Sequence, residues 1–294
     1  MRRPTRRLVL FVICFTAAAC AGRFTPARLA PLPFPADTVR ARIVSDGVVL
    51  RYIHSPAGPW AIHVLDVDLD RCNAVVAVKG ADSAAGRTKT TALLGWLAVR
   101  EHVLGGVNGD FFSLATGRPI GLLVVDGRRL TPPVSQAALA FDSSGVPHIA
   151  VFTTAGASLA PFFPEEAVGG RPMLVRDSII AAAVDTTGQR SFNVGRNPRT
   201  VAGLARDGRR LILAVIDGRQ KPYSDGMSLR ETADLMLALG ARDAINLDGG
   251  GSSTLVYTDP DSAGRLRIAN RVSDRQGERA VGDALAIVNR CDAR

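Results

Sequence analysis

The fold of this chain is organised around the stretch Ala244-Ile245-Asn246-Leu247-Asp248-Gly249-Gly250-Gly251-Ser252-Ser253-Thr254-Leu255-Val256. An apolar run ends in a carboxylate here, and three glycines and two serines precede a second apolar run. Because glycine has no Cβ atom, this backbone can fold tightly and let a ligand approach bare N–H groups. We therefore predict a ligand site, with Asp248 ending a buried strand and Ser252 and Ser253 facing the occupant. The alternative is a glycine-rich hairpin, for which two glycines normally suffice.

A second polar stretch, Asn108-Gly109-Asp110, lies between an apolar run and two phenylalanines. A carboxylate beside apolar rings can have a shifted pKa, which makes Asp110 a candidate for acid–base chemistry. The alternative is an Asn-Gly turn anchored by a buried aromatic side chain.

Most of the remaining chain has the alternation of β-strands. Strands are predicted over residues 48–53, 61–69, 74–78, 120–125, 137–141, 149–153, 173–175, 201–206, 211–217 and 284–288. Helical spacing predicts two helices, residues 91–102 and Ser228 to Leu239, and the second carries a capping box formed by Ser228 and Glu231. We therefore predict a single catalytic domain over residues 41–294, of the α+β class, with a mixed or largely antiparallel sheet.

The N-terminal residues predict export. A basic segment precedes the apolar run from Leu8 to Ala19, so residues 1–19 are typical of a signal peptide. The sequence Ala17-Ala18-Ala19-Cys20 also resembles the cleavage box of bacterial lipoproteins, in which the cysteine becomes the lipidated first residue. Plain secretion or a periplasmic location is the alternative. The prolines within residues 20–40 predict a tether between a lipid anchor at the membrane and the folded domain.

Charge and cysteine usage narrow the choice of partners. The net charge of +9 falls to +5 (9 − 4) once the four arginines of residues 1–19 are removed, and the remaining basic residues are scattered. We therefore expect no nucleic-acid partner. Cys72 and Cys291 are the cysteines left after the signal and Cys20, and an oxidising compartment predicts a disulfide between them.

Six short motifs stand in order along the chain. They are Asn-Gly-Asp-Phe-Phe (108–112), Asn-Pro-Arg-Thr (197–200), Asp-Gly-Arg (217–219), Ser-x-x-Glu-x-Ala (228–233), Asn-Leu-Asp-Gly-Gly-Gly-Ser-Ser (246–253) and Glu-Arg-Ala-Val (278–281). Together they resemble the phosphodiester glycosidase family, and the resemblance covers about residues 60–290. It implies hydrolysis of a sugar joined through its anomeric carbon to a phosphodiester, with release of free sugar and a phosphomonoester. Asp110 departs from the family pattern, because many relatives have glycine there.

The residue types in these motifs suit that chemistry. A phosphodiester carries a negative charge, so its site needs cations or backbone donors. Cleavage of a glycosidic bond is usually assisted by carboxylates, and Asp248 and Asp217 each end an apolar strand. Glu231 and Asp110 are the next catalytic candidates. The candidate substrate-binding residues are Asn108, Gly109, Arg199, Asn246, Gly249, Gly250, Gly251, Ser252, Ser253 and Arg279.

Other interpretations remain open at this stage. The oxygens of Asp217, Asp248 and Asn246 would suit a divalent cation such as Ca²⁺ or Mg²⁺, although no single run has the pattern of a ligand loop. Ser252 or Ser253 as an acyl nucleophile would need a histidine base, and no histidine lies in a recognisable partner motif. A non-catalytic surface lipoprotein that binds polysaccharide through the same glycines is the main alternative to an enzyme.

Overall fold

The computed structural model describes residues 29–79, 85–153, 162–185 and 190–291. The predicted signal peptide and Cys20 lie outside these residues. In the ranges that are described, no helix has the length and apolar character needed to cross a membrane.

The described chain is mostly β-structure, and every strand pairing is antiparallel. The strands are β1 (Thr38–Ser45), β2 (Val48–Ser55), β3 (Trp60–Asp68), β4 (Asn73–Val78), β5 (Thr88–Lys89), β6 (His102–Asn108), β7 (Leu123–Val125), β8 (Arg128–Thr131), β9 (Gln136–Phe141), β10 (Pro147–Phe152), β11 (Glu166–Gly169), β12 (Met173–Arg176), β13 (Ile179–Ile180), β14 (Arg199–Ala205), β15 (Arg210–Ile216), β16 (Ala241–Asn246), β17 (Leu255–Asp259), β18 (Arg265–Ile268), β19 (Ala280–Val281) and β20 (Ala284–Asn289). The α-helices are α1 (Thr90–Leu97), α2 (Arg190–Asn193) and α3 (Leu229–Ala238).

The fold class is therefore largely β, and the predicted α+β class fits it only roughly. The antiparallel sheet is confirmed, but the helices are short. α1 ends at Leu97 instead of His102, because β6 begins at His102 and Val99 between them is exposed. Strands β11 and β13 also occupy a region in which the sequence shows no clear pattern beyond residues 173–175.

The sheets are arranged in layers. An eight-stranded sheet has the order β1-β2-β3-β15-β14-β16-β12-β13, and two five-stranded sheets have the orders β10-β9-β11-β7-β8 and β18-β17-β6-β20-β4. The main core lies between the large sheet and the two smaller ones, and includes Leu65, Leu139 and Leu285. A second core joins the outer face of the large sheet to α3, and a third joins α1 to the sheet that contains β6. Burial on both faces holds the strand ends in place.

The predicted motifs come together at the place where several strands end or begin. β15 and β16 end there and β14 begins there, since these neighbouring strands are antiparallel. The C-terminal end of β6, in one of the smaller sheets, lies at the same place. There Asn108 is opposite Ala284, and the N–H of Asn108 donates to the carbonyl of Thr254. Motifs far apart in sequence therefore meet at one place.

The described part of the predicted tether lies on the domain. β1 begins at Thr38, inside the predicted segment 20–40. The ring of Phe34 lies 4.9 Å from that of Trp60, and Ser55 Oγ donates to the carbonyl of Pro35 at 2.6 Å. Apolar side chains between the prolines explain this contact, since they can be buried on the outer face of the large sheet.

The predicted disulfide is confirmed. Cys72 follows β3 and Cys291 follows β20, and a bond joins them across a sequence separation of 219 residues. It ties the last strand of the domain to one of the first.

Replacing both cysteines, Cys72→Ser with Cys291→Ser, is expected to lower the free energy of unfolding by about 2–4 kcal/mol, because the bond restricts the unfolded chain. Urea denaturation of the double variant measures the loss. The wild-type domain kept in reducing agent is the control and should have the same midpoint as the variant. Equal stability of the variant and the oxidised wild type would contradict the expectation.

Candidate active site

The glycine-rich stretch is held by two other motifs. The N–H of Leu247 donates to the carbonyl of Thr200 at 2.8 Å, and the N–H of Asp248 donates to the carbonyl of Gly109 at 3.0 Å. The N–H of Gly250 donates to the carbonyl of Pro198 at 2.9 Å. Asp248 is thus positioned by main-chain contacts with both sheets.

The glycines permit close approach, as predicted, but the approaching groups belong to the protein. A Cβ atom on Gly251 would lie 2.2 Å from Arg279 Nη2, and one on Gly249 would lie 2.7 Å from the carbonyl oxygen of Pro198. Gly250 has a φ of +62°, which side chains disfavour. The loop is therefore a packed wall of the site and not an open hairpin.

Asp248 lines a cavity of about 410 Å³. The other described residues of its wall are Phe111, Ser191, Phe192, Asn197, Pro198, Arg199, Arg219, Gly249, Gly250, Gly251 and Arg279. Burial raises the pKa of Asp248 to about 6, while the Ser252 hydroxyl and the charge of Arg279 limit the rise. The Ser252 hydroxyl is close to the carboxylate, but the geometry of the contact falls short of a hydrogen bond. A carboxyl group with this pKa can change protonation state near neutral pH.

Two further carboxyl groups lie close to Asp248. Asp110 is buried, and its oxygens accept from the N–H groups of Phe111 and Gly121 at 2.7 and 2.5 Å. Burial raises its pKa to about 7, and the charge of Asp248 adds to the rise. Asp283 accepts from the N–H of Asp110 at 3.0 Å, and burial followed by the charge of Asp110 raises its pKa well above the usual range.

This acid cluster lies beside the cavity wall and is not itself part of it. Neither Asp110 nor Asp283 is among the residues that line the cavity. Asp110 therefore acts on Asp248 through its charge, whereas Asp248 is the member of the cluster that can contact a ligand in the cavity.

Three arginines are among the described residues that line the same cavity. Arg279 forms a two-pronged ion pair with Asp274, with distances of 2.8 and 3.0 Å. Arg199 is buried and donates to the carbonyls of Met227, Phe192 and Gly195 at 2.9, 2.6 and 3.0 Å. Arg219 is exposed and donates to Asn197 Oδ1 at 2.9 Å. The predicted cations are therefore present, together with Arg219, which the sequence analysis did not single out as a site residue.

Asn108 and Asn246, two of the predicted substrate-binding residues, form hydrogen bonds within the protein. Asn108 Nδ2 donates to the carbonyl of Asp248 at 2.7 Å, and Asn108 Oδ1 accepts from Thr200 Oγ1 at 2.8 Å and the Thr254 N–H at 3.1 Å. Asn246 Nδ2 donates to the carbonyl of Arg171 at 2.7 Å. Both side chains are buried and absent from the cavity wall, and each donates to a main-chain carbonyl where a strand ends. Asn246 Oδ1 is buried without a hydrogen-bond partner among the described residues.

Asp217 and Glu231, two of the predicted catalytic carboxylates, also accept hydrogen bonds from protein groups. Asp217 is fully buried and accepts from Tyr223 Oη at 3.0 Å, from Asn270 Nδ2 at 3.1 Å and from the Arg271 N–H at 3.1 Å. His63 Nε2 also lies 3.1 Å from this carboxylate. Asp217 is absent from the cavity wall and instead holds the turn that carries Arg219.

Glu231 closes the first turn of α3. Its carboxylate accepts from the N–H of Ser228 at 2.9 Å, and its own N–H donates to Ser228 Oγ at 3.2 Å, which is a capping box. Arg196 Nη2 lies 2.6 Å from the same carboxylate. Burial raises the pKa of Glu231, but the contacts with Arg196 and Ser228 outweigh it and leave the pKa below its usual range.

Fewer backbone N–H groups of the glycine-rich stretch are available to a ligand than the sequence predicted. The N–H groups of Gly250, Ser252 and Ser253 donate to carbonyls of Pro198, Gly249 and Gly250. These donors serve the loop and are not available to an anion. The Ser252 and Ser253 hydroxyls are buried without a hydrogen-bond partner among the described residues, so they do not line the cavity as predicted.

The described part of the chain contains no group of three His, Cys, Asp or Glu side chains placed to hold a metal ion. Asp217, one of the oxygen donors suggested for a cation, directs both carboxylate oxygens to protein donors.

Some site residues were not identified from the sequence. Asp283 lies immediately before a closing apolar strand, and Arg219 lies within the Asp-Gly-Arg motif, so each had a signal that could have been used. Phe192 lies in a loop-rich segment that offers no such signal. Its ring is 5.9 Å from that of Phe111, and the two rings form an aromatic wall of the cavity.

The site is thus an arginine-lined cleft with one titratable carboxylate, built on an antiparallel β framework. The chain belongs to the phosphodiester glycosidase family, whose sequence profile matches residues 101–288. The resemblance inferred from the six motifs is therefore confirmed.

Individual relatives agree with this assignment. The chain is 32% identical over 164 residues to N-acetylglucosamine-1-phosphodiester alpha-N-acetylglucosaminidase of Bos taurus, a match that covers 51% of this chain and 30% of the bovine protein. The chain thus spans about a third of the length of that relative.

Solved structures share the fold. The catalytic domain of zebrafish N-acetylglucosamine-1-phosphodiester alpha-N-acetylglucosaminidase, described as auto-inhibited by its pro-peptide, has a TM-score of 0.63 at 20% identity, covering 89% of this chain and 87% of that one. A hypothetical protein from Synechocystis has a TM-score of 0.66 at 14% identity, covering 87% of this chain and 64% of that one. At these identities the likeness concerns the fold alone.

The packing of Gly109 against Asp283 gives a stability test. A Cβ atom on Gly109 would lie 1.8 Å from Asp283 Oδ1, a buried atom that also accepts from the Asp110 N–H. Gly109→Ala is therefore expected to lower the free energy of unfolding by about 1–3 kcal/mol, as overpacked cores do. Thermal and urea denaturation measure the change.

The matched control is Gly95→Ala in α1, where a Cβ atom would meet no heavy atom within 4 Å. This change should leave stability unchanged or raise it by up to about 1 kcal/mol, since alanine favours helix. Equal stabilities of the two variants would show that the contact between Gly109 and Asp283 is not tight.

Proposed function

We propose that this protein hydrolyses the bond between the anomeric carbon of a sugar and a phosphodiester, releasing free sugar and a phosphomonoester. The observation that carries the proposal is Asp248, a carboxyl group with a raised pKa on the wall of a cavity that three arginines also line. Membership of the phosphodiester glycosidase family supports the type of reaction. The substrates we propose are cell-surface or extracellular glycans that contain a sugar 1-phosphodiester.

The cavity separates the two parts of such a substrate. The arginine side chains suit the anionic phosphate group. The Phe111 and Phe192 rings, each with an arginine over one face, supply apolar surface for the sugar ring. The anomeric carbon then lies between these parts and next to Asp248.

Asp248 is the carboxylate that we assign to the chemistry. In its ionised form it either attacks the anomeric carbon directly or removes a proton from the attacking water. The positive charge that develops at the anomeric carbon is stabilised by the same carboxylate. The departing phosphate is already a weak base, so the arginines can stabilise it without a strong general acid.

Asp248→Asn is expected to lower kcat about 10²–10⁴-fold with the fold retained, because asparagine keeps the shape but cannot act as base or nucleophile. Release of reducing sugar from a panel of sugar 1-phosphodiesters measures the activity. In the wild type, kcat should fall as the pH drops below about 6, the pKa of Asp248.

Stability provides an independent check on the same residue. A carboxyl group whose pKa is raised in the folded state stabilises the fold at low pH, and this contribution is lost as the pH rises through about 6. Asp248→Asn should therefore be more stable than the wild type at pH 8, with a smaller difference at pH 4. A variant that is less stable at pH 8 would mean that the carboxylate is needed for folding.

The same assay separates the enzyme from a non-catalytic polysaccharide-binding protein. Binding of sugar phosphates without release of sugar from any of them would favour the binding protein. Parallel reactions with and without a chelator decide whether a divalent cation takes part.

We further propose that the protein is exported and that Cys20 anchors it to the membrane through a lipid. The support is the basic and apolar pattern of residues 1–19 and the Ala17-Ala18-Ala19-Cys20 box. Cys20→Ala should move the protein from the membrane fraction to the soluble fraction of a bacterial host, as a fractionation blot would show. Cys72→Ser is the control and should leave the distribution unchanged. An unchanged distribution of Cys20→Ala would favour plain secretion or a periplasmic location.

A further inference from the structure

We propose that Arg219 binds the phosphate group of the substrate, and that this site also makes the enzyme sensitive to inhibition by its phosphomonoester product. The inference rests on the proposed function and assigns one part of it to one side chain. Arg199 and Arg279, the two arginines predicted to bind substrate, are less suited to a phosphate, because protein groups already accept from their guanidinium donors.

The charges of the three cavity arginines differ in how they are balanced. Arg279 is neutralised by its two-pronged pair with Asp274. Arg199 directs Nε and Nη2 to main-chain carbonyls and is almost fully buried. Arg219 is exposed, and its partner is the neutral side chain of Asn197. Among the residues that the structure describes, Arg219 has no carboxylate within ion-pair distance.

Arg199 adds a second positive charge close to Arg219. Burial and then the nearby charge of Arg219 lower the pKa of Arg199 to about 10. The charge of Glu231 offsets this lowering only in part, so the two guanidinium groups leave a positive potential at the cavity wall. An anion placed there relieves the repulsion, which is the property expected of a phosphate site.

The orientation of Arg219 also suits a phosphate. Its Nη2 and Nη1 atoms lie 3.4 and 3.5 Å from the position that a Cβ atom on Gly250 would occupy. The planar guanidinium group therefore lies along the bare backbone of the glycine loop, two residues from Asp248. An arginine in this arrangement can donate two parallel hydrogen bonds to phosphate oxygens.

The backbone of Arg219 has a conformation that arginine does not favour. Its φ is +60°, in the left-handed region. The turn is held there by its surroundings, since the Arg219 N–H donates to the carbonyl of Asp225 at 3.3 Å and Asp217 anchors the preceding residues. Asparagine adopts this φ more readily than arginine. Stability therefore does not explain the arginine, and strain of this kind is concentrated at functional sites.

The product carries more charge than the substrate. A phosphodiester has one negative charge, whereas a phosphomonoester has about 1.5–2 at pH 7. A site with two guanidinium groups should therefore bind the phosphomonoester at least as strongly as the diester. Inorganic phosphate has the same chemistry and should compete with the substrate.

The test uses the variant Arg219→Asn, together with Arg219→Lys. For Arg219→Asn, we expect KM for a sugar 1-phosphodiester and the inhibition constant of inorganic phosphate to rise together, each about 10- to 100-fold. Its Tm should be equal to or higher than that of the wild type. Arg219→Lys should show a smaller rise in KM and in the inhibition constant, because lysine keeps the charge but cannot donate two parallel hydrogen bonds. The control is Arg206→Asn, an exposed arginine outside the cavity wall, which should leave KM and phosphate inhibition unchanged.

Two results would overturn the inference. One is an Arg219→Asn variant with unchanged KM and unchanged phosphate inhibition. The other is a fall in Tm accompanied by loss of kcat alone, which would indicate a structural role.

The inference can be separated from the proposed function. If the wild type cleaves no sugar 1-phosphodiester, the proposed function fails, but calorimetric titration with inorganic phosphate still tests Arg219. Binding by the wild type that is lost in Arg219→Asn supports the phosphate site. Absence of binding by the wild type, or equal binding by both proteins, overturns it.

Discussion

The buried side chain of Asn108 joins the parts of the protein that form the site. Its amide donates to the main chain of Asp248 and accepts from Thr200 and Thr254, so β6, β14 and the glycine-rich stretch all meet at one side chain. These segments come from different sheets, and Asn108 is fully buried where they meet, so its hydrogen bonds are shielded from water. A buried amide with satisfied donors and acceptors specifies one geometry, because a shift of any strand would leave a polar group unpaired. The position of Asp248 follows from this joint.

The charges around the cavity are arranged at some cost to the fold. Asp248, Asp110 and Asp283 lie close together, and their burial raises all three pKa values. Arg219 lies close enough to Arg199 for its charge to lower the pKa of Arg199, and the charge of Glu231 offsets this effect and that of burial only in part. Like charges held together destabilise a folded protein, whereas a bound ligand of the right charge can relieve the repulsion. The arrangement is understandable for a binding site and hard to explain as a means of stabilising the chain.

Much of the local structure could be predicted from short-range patterns. Alternation identified strands such as β2, β3 and β15, and the spacing of Ser228 and Glu231 identified the start of α3. The disulfide followed from the cysteine count. The overall class was less well predicted, since the short helices and the strands of the loop-rich region depend on packing between sheets and not on their own sequence.

The amino-acid sequence was sufficient to mark Asp248 and its glycines, because a carboxylate followed by three glycines has few purely structural uses. It could not assign roles to the other polar residues, since Asp217 and Asn246 have the same appearance in sequence whether they bind a ligand or a main-chain group. That distinction depends on which donors and acceptors the fold brings within about 3 Å. Only the tertiary structure places Asp217 among protein donors and Arg219 at the cavity wall, where it donates to the neutral side chain of Asn197.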